Sequence, residues 1–176
     1  MDPIELLARD DRWQLSAGEG VLFAPQYPLW LDAPGFWDPV SIFGTEIAPL
    51  FTVTMLDDDG VEVPVRLTNR RWSPAEIAAE YRLGNGATAT EVRTVQPGGV
   101  LASEWRIEAP RPTRLHLVAW TAQPGDSIVG PVEWSGGSLP FTRAIGDKLR
   151  VRCELGCLGG GTSWGRAARR RALPSA

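Results

Sequence analysis

Turn-forming residues interrupt this chain at short, regular intervals, and this spacing most constrains how it can fold. The 176 residues include 19 glycines and 15 prolines, and turn signals recur about every ten residues. Between them lie short segments in which apolar and polar residues alternate, the period of a β-strand. The sequence therefore predicts an all-β fold, an antiparallel β-sandwich with one or two short helices.

The clearest local pattern is a predicted β-hairpin around the turn Asp57–Gly60. Alternating segments flank this turn, Phe51–Met55 before it and Val61–Leu67 after it. Pro64 lacks a backbone N–H donor, so its strand is expected to lie at an edge or to be interrupted there. Further strands are predicted at Tyr81–Leu83, Thr88–Val95, Val100–Glu108, Arg114–Ala122, Val132–Ser135, Leu139–Ile145 and Leu149–Leu155.

Three segments are expected to depart from the strand pattern. Ser73–Glu76 carries a serine, a proline and a glutamate spaced as at the start of a helix, which predicts one or two helical turns before Tyr81. Residues 1–12 indicate a short helix or an arm. Residues 21–38 carry several prolines, which predicts an ordered loop with at most a short strand at Val21–Ala24.

The predicted β domain spans residues 1–155, and residues 156–176 differ from it. This C-terminal stretch is rich in glycine and arginine and shows no strand pattern, so a disordered tail is expected. Two explanations stay open: a basic tail that contacts an acidic partner, or the product of a truncated or frameshifted gene. The second is the favoured hypothesis, because the tail breaks the style of the preceding sequence.

Composition argues against nucleic-acid and membrane functions. The net charge is −3, and the body of the chain has no basic stripe of the kind that nucleic-acid binding requires. Every basic residue except Lys148 is an arginine, which we interpret as a codon bias. No apolar run approaches the ~20 residues of a membrane helix, and the acidic N-terminus does not resemble a signal peptide. A cytoplasmic location is predicted.

Residues that commonly carry chemistry are sparse. The two cysteines, Cys153 and Cys157, do not have a usual zinc or redox spacing, and free thiols are expected rather than a disulfide or a metal site. The single histidine, His116, lies among apolar residues and is interpreted as structural. No dinucleotide-binding or phosphate-binding glycine motif is present, so no cofactor is expected.

Carboxylates give a weak indication of catalysis. Glycoside hydrolysis needs two carboxyl groups placed across the scissile bond. Nothing in their spacing selects a pair, so no catalytic residue is assigned. The candidates by residue type alone are Asp32, Asp38, Glu46, Glu104 and Glu133.

The unusual local feature is a cluster of aromatic residues between residues 23 and 37, with two aspartates beside it. Aromatic faces next to a carboxylate can hold the apolar face and the hydroxyl edge of a sugar. The alternative is that these side chains pack the loop against the rest of the domain or against another domain. The candidate sugar-binding residues are Tyr27, Trp30, Asp32, Trp37 and Asp38.

Three segments carry a family resemblance: PQYPLWLDAPGFWDPVSIFGTEIAPLFTVTMLDDDG, VPVRLTNRRWSPAEIAAEYRLGNG and TEVRTVQPGGVLASEWRIEA. In style and order, about residues 13–155 resemble the N-terminal β-sandwich, or supersandwich, domain of large bacterial glycoside hydrolases. These enzymes form the glycogen-debranching, α-glucosidase and trehalase-like group, in which the sandwich precedes an (α/α)6 toroid. The resemblance implies that the acid and base carboxylates belong to the toroid, which this chain has no room to form.

The resemblance therefore implies a supporting role, in which the sandwich packs on a catalytic domain or partner chain. It also implies that the loop Tyr27–Asp38 reaches toward a carbohydrate ligand. Two alternatives stay open. The chain is a free-standing carbohydrate-binding module that uses this loop, or it is a small enzyme with carboxylates in a cleft.

Overall fold

A computed structural model describes residues 14–24, 33–47, 50–110, 116–120, 127–129, 138–145 and 149–156. The chain forms two compact units, Met1–Pro124 and Gly125–Ala176. In the described ranges all regular secondary structure is β-strand. This finding confirms the predicted all-β class.

The first unit contains the strands β1 Leu15–Gly18, β2 Val21–Phe23, β3 Gly35–Phe36, β4 Val40–Ile42, β5 Thr45–Ile47, β6 Phe51–Leu56, β7 Val65–Trp72, β8 Ile77–Leu83, β9 Thr88–Gln96, β10 Val100–Glu108 and β11 His116–Trp120. The second unit contains β12 Ser127–Val129, β13 Ser138–Ile145 and β14 Leu149–Gly156. Every strand pairing among them is antiparallel.

The strands of the first unit form three sheets, in the orders β1-β2-β4-β5, β10-β9-β8-β7 and β11-β6-β3. The strands of the second unit form one sheet, in the order β12-β13-β14. The sheet β7–β10 is a meander of consecutive hairpins, which is the arrangement that short turns between alternating segments favour.

The core of the first unit draws side chains from all three of its sheets. One apolar cluster joins Phe23 of β2, Phe36 of β3 and Ile77 of β8, and a second joins Met55 of β6 to Tyr81 of β8. Because residues of different sheets share each cluster, the sheets pack against one another through their apolar faces, as in a sandwich. Full burial of each large apolar side chain contributes roughly 1.5–3 kcal/mol to folding.

The predicted helix at Ser73–Glu76 is wrong, because these residues form the turn between β7 and β8. Ser73 Oγ does accept hydrogen bonds from the backbone N–H groups of Ala75 and Glu76, at 3.3 and 3.2 Å. However, Ser73 and Glu76 also exchange backbone hydrogen bonds, and Ile77 pairs at once with Trp72. The apolar residues at every second position from Ile77 place a strand where the helix was expected.

The predicted hairpin around Asp57–Gly60 is only partly correct. Asp57 Oδ1 accepts hydrogen bonds from the N–H groups of Asp59 and Val61, so the turn forms as expected. Beyond it, Leu56 and Glu62 make a single bridge, and β7 then pairs with β8 instead of β6. Pro64 lies at this departure, which confirms the predicted interruption, and its carbonyl accepts a hydrogen bond from Gly84 N–H.

The sequence pattern also underestimated the strands between residues 35 and 47. The short strand predicted at Val21–Ala24 is present as β2, but the following sequence contains β3, β4 and β5 as well. These strands are two or three residues long, too short for alternation to reveal them.

Several predicted features lie wholly or largely outside the described residues. They are the N-terminal helix or arm, the strand at Val132–Ser135, the role of Cys157 and, beyond Gly156 at the end of β14, the C-terminal tail. The boundary placed at residue 155 stays a prediction.

Candidate functional site

The candidate site lies where segment 33–38 meets β9. The backbone of Gly35 is held on both sides by charged side chains of β9. Its N–H donates to Glu91 Oε1 at 2.8 Å, and its carbonyl accepts from Arg93 Nη1 at 2.9 Å. Gly35 also pairs with Thr52 of β6. Its hydrogen bonds to Glu91 and Arg93 therefore connect the β11-β6-β3 sheet to the β7–β10 sheet.

Only glycine fits at position 35. Its φ is +85°, a left-handed conformation that residues with a Cβ atom rarely adopt. A Cβ there would lie 2.7 Å from Phe51 O and 2.9 Å from Thr52 Cα. Both are backbone atoms of β6, so the strand itself would have to shift to accept a larger residue.

Glu91 is the centre of this cluster and is 0 % exposed. Besides the bond from Gly35, Oε1 accepts a hydrogen bond from Ser103 Oγ at 2.6 Å, and Oε2 accepts one from the Tyr81 hydroxyl at 3.0 Å. A buried carboxylate is costly unless it is paired and hydrogen-bonded. Here both carboxylate oxygens accept hydrogen bonds, so Glu91 joins Gly35, Tyr81 and Ser103 to one another.

Arg93 balances the charge of Glu91, with the Tyr81 hydroxyl between them. Arg93 Nε lies 3.4 Å from Glu91 Oε2, but the two atoms form an ion pair without a hydrogen bond. The hydrogen-bonded link instead runs through Tyr81, which accepts from Arg93 Nη2 at 3.3 Å and donates to Glu91. We name Tyr81, Glu91, Arg93 and Ser103 the buried polar cluster.

The register of the sheet explains why these side chains meet. Glu91 lies opposite Trp105 of β10, and Arg93 lies opposite Ser103. Tyr81 stands diagonally from Glu91, across the β8–β9 pairing. The Trp105 indole stacks on the Tyr81 ring at 5.7 Å between centroids and donates from Nε1 to Ser103 Oγ at 2.8 Å. The cluster is thus built on three adjacent strands.

Asp38 is the second buried carboxyl group of the site. Burial raises its pKa from 3.8 to about 6, and three weaker effects oppose this: the charge of Arg93, a hydrogen bond from its own backbone and the charge of Arg70. Burial disfavours the charged form of a carboxyl group. Asp38 therefore exchanges a proton near pH 6, at a place where the charge of Arg93 acts on it.

The structure describes two of the five residues predicted to bind sugar. Asp38 is buried and Trp37 is half-buried, at the end of the segment that Glu91 and Arg93 anchor. Tyr27, Trp30 and Asp32 lie outside the described residues. Of the other candidate carboxylates, Glu46 and Glu104 are exposed and Glu133 lies outside the described residues.

Sequence reasoning missed the buried polar cluster, although a signal for it was present. In Thr88–Gln96 the buried positions are 89, 91, 93 and 95. Glu91 and Arg93 therefore stand on the same face as Ala89 and Val95, and opposite charges two residues apart on an apolar face predict a buried pair. The other face carries Val92 and the threonines at 88, 90 and 94, and these strand-favouring residues hid the asymmetry.

Comparisons with known proteins add no identification. No family model, curated protein or solved structure matches the chain. Over the described residues, no group of three or more histidine, cysteine, aspartate or glutamate side chains is arranged to hold a metal ion. In the same residues, no helix has the length and apolar character needed to cross a membrane.

Proposed function

We propose that the chain is a non-catalytic β-sandwich domain of, or derived from, a carbohydrate-active enzyme, and that segment 33–38 is its contact with sugar. The observation that carries the proposal is the grip of Glu91 and Arg93 on both backbone groups of Gly35. A binding surface works best when its supporting residues are fixed before the ligand arrives. Here a β-sheet supplies that support.

The anchored segment ends in residue types suited to a sugar. Trp37 is half-buried and offers a flat apolar ring for the C–H face of a pyranose. Asp38 follows it directly and supplies carboxyl oxygens that can accept hydrogen bonds from sugar hydroxyls. The family resemblance agrees with this assignment, because it implies that the loop Tyr27–Asp38, which contains this segment, reaches toward a carbohydrate ligand.

Saturation-transfer NMR with maltooligosaccharides and trehalose tests the proposal. The full chain at millimolar sugar is expected to give transfer to the ligand, and Trp37→Ala is expected to abolish it. Phe43→Ala is the matched control, because it removes an aromatic ring that is 81 % exposed on the β4–β5 turn. If the wild-type chain gives no transfer, or if both variants lose it equally, segment 33–38 is not a sugar contact.

The same experiment separates the proposal from a free-standing carbohydrate-binding module. A module that acts alone needs useful affinity by itself, whereas a supporting domain shares the ligand with a catalytic partner. Saturation by sugar with a dissociation constant below about 0.1 mM would favour the free-standing module. Weaker binding agrees with a shared site.

One observation favours a catalytic alternative. The pKa of Asp38 is raised to about 6 by burial, and carboxyl groups that hold a proton near neutral pH serve as general acids in glycosidases. A second carboxylate would have to act with it, but both oxygens of Glu91 already accept hydrogen bonds. Assays of the wild type and of Asp38→Asn on a panel of aryl glycosides test this alternative. Hydrolysis by the wild type that is lost in the variant would establish it.

A further inference from the structure

The outer edge of β10 differs from the usual edge of a β-sheet. Val100–Glu108 pairs with β9 in one unbroken register along its whole length. Among the described strands, none pairs with the other side of β10. A long regular edge exposes backbone donors and acceptors to another strand, and proteins normally protect such edges with proline, bulges, short length or charged side chains.

β7, at the opposite edge of the same sheet, has these protections. Pro64 directly precedes it, and its pairing with β8 shifts register between Leu67 and Asn69. Arginines at 66, 70 and 71 add repulsion toward a second copy of the same strand. β10 contains no proline and no register shift. Of the two edges, only β10 is suited to accept another strand.

The charges on β10 are self-complementary. Glu104, Arg106 and Glu108 are exposed and alternate with the half-buried residues Trp105 and Ile107. If a second β10 lies antiparallel with Trp105 opposite Trp105, each Glu104 faces the Arg106 of the other copy. Two opposite-charge pairs then form about a two-fold axis, and cross-strand pairs of this kind are stabilising.

Other symmetric registers are less favourable. Centring the pair on Glu104 places two glutamates directly opposite each other, and centring it on Arg106 does the same with two arginines. Centring it on Ile107 allows Arg106 to face Glu108, but the two strands then overlap only at their ends. The register centred on Trp105 aligns residues 102–108 of both copies.

We propose that β10 is a self-association edge, through which a second copy of this chain continues the β7–β10 sheet across a two-fold axis. The occupant is a second copy because the charge pattern complements itself in one register with long overlap. The interface adds backbone hydrogen bonds between the β10 strands and two Glu104–Arg106 pairs. This inference does not depend on sugar binding at segment 33–38.

Charge reversal on the full chain, followed by sedimentation velocity, tests the inference. Wild-type protein is expected to dimerise in the concentration range up to about 100 μM. In Glu104→Arg homodimers, arginines would face arginines, and in Arg106→Glu homodimers, glutamates would face glutamates. Each single variant is expected to raise the dimer dissociation constant by about tenfold or more.

The decisive sample is an equimolar mixture of the two single variants. In the register centred on Trp105, each arginine of one variant faces a glutamate of the other, so a heterodimer is expected to form where neither variant self-associates. The double variant Glu104→Arg/Arg106→Glu is likewise expected to regain wild-type dimerisation. Arg66→Glu, an exposed charge reversal on β7, serves as the control and is expected to leave association unchanged.

Three outcomes would overturn the inference. The wild type could remain monomeric over the whole concentration range, the single variants could dimerise as the wild type does, or the mixture could stay monomeric while the wild type dimerises. Circular dichroism of each variant checks that the strands are retained. The sedimentation samples contain no sugar, so a negative result would argue against self-association through β10 and would leave the proposed sugar contact at segment 33–38 unaffected.

Discussion

Gly35 and Phe36 are adjacent in the chain, yet opposite kinds of interaction hold them in the first unit. The backbone of Gly35 is held by two charged side chains, Glu91 and Arg93. The ring of Phe36 packs edge-on against Phe23 at 4.9 Å and Phe51 at 5.3 Å between centroids. The first attachment is directional and depends on charge, whereas the second depends on apolar area removed from water.

The difference indicates how one segment obtains both stability and position. Apolar contacts would hold β3 on the core but tolerate small shifts, because the hydrophobic effect has no preferred direction. Hydrogen bonds to both backbone groups of Gly35 fix the backbone at that residue, and through it the positions of Trp37 and Asp38, which follow Phe36.

Removing the carboxylate of Glu91 is expected to have the largest effect. Glu91→Ala leaves the Arg93 guanidinium buried without its counter-charge and leaves Gly35 N–H without an acceptor. Loss of one partner of a buried ion pair costs about 3–5 kcal/mol of folding free energy. Urea denaturation of the full chain, followed by circular dichroism, measures the loss.

The double variant Glu91→Ala/Arg93→Ala sharpens this test. Removing both partners also removes the uncompensated charge, so the double variant is expected to lose less than the sum of the two single losses. If the losses are additive, the two side chains do not act as a pair. The attachment of Gly35 would then not depend on the charges of Glu91 and Arg93.

Truncating the ring of Phe36 is expected to have the next largest effect. Phe36 is fully buried, and Phe36→Ala would leave a cavity between Phe23 and Phe51, at a cost of about 3 kcal/mol. Because no charged group takes part, the loss should be the same at pH 5 and pH 8 in paired urea titrations. A loss that changes strongly between these pH values would mean that the two attachments are coupled.

The role of Asp38 predicts a smaller, pH-dependent effect. Its folded pKa is raised from 3.8 to about 6, so the native chain binds more protons than the unfolded chain between these values. Stability from this group is therefore present at low pH and is lost as pH rises through about 6. We expect a change of roughly 1–2 kcal/mol, after allowance for partial solvation of the carboxyl group.

Asp38→Asn isolates this contribution from other titrating groups. The amide cannot ionise, so the variant is expected to be more stable than the wild type at pH 7.5 and to approach it near pH 4. Thermal unfolding of both proteins across this range gives the difference directly. A variant that is less stable at pH 7.5 would show that the charged carboxylate is favourable in the folded chain.

The sequence predicted the apolar part of this architecture better than the polar part. Alternation in Val100–Glu108 correctly placed Leu101, Ser103, Trp105 and Ile107 on one face, because a strand of that length repeats its pattern several times. At Ser73 the local hydrogen bonds suit either a helix cap or a hairpin turn. The pairing of Ile77 with Trp72 and the apolar residues at every second position from Ile77 decide between them, and the pattern of a helix start at Ser73 outweighed this signal in the sequence.

The candidate site was predictable only in part, for a similar reason. Asp38 and Trp37 were predicted as sugar-binding candidates from their residue types and their place in an aromatic segment. The residues that hold this segment, Glu91 and Arg93, are more than 50 positions away along the chain. No local pattern relates the backbone of Gly35 to β9, because the contact exists only once two sheets pack together.

Removing the Tyr81 hydroxyl is expected to have the smallest effect on stability. This hydroxyl accepts a hydrogen bond from Arg93 and donates one to Glu91. Tyr81→Phe keeps the ring that stacks on Trp105 and removes one hydrogen-bond donor and acceptor. Glu91 and Arg93 keep their bonds to Gly35, so the loss is expected to be about 1 kcal/mol. Urea denaturation measures it, with Ser103→Ala as a control that removes a hydroxyl donor to the other oxygen of Glu91.

The same substitution in the Glu91→Ala background tests whether the hydroxyl acts through the ion pair. Without Glu91, the Tyr81 hydroxyl has lost the acceptor of its bond to Oε2, so removing it should cost clearly less than in the wild type. A double-mutant cycle then gives a coupling energy between the two residues. An equal loss in both backgrounds would mean that the Tyr81 hydroxyl contributes independently of Glu91, and that it does not bridge Glu91 and Arg93 in a way that strengthens the attachment of Gly35.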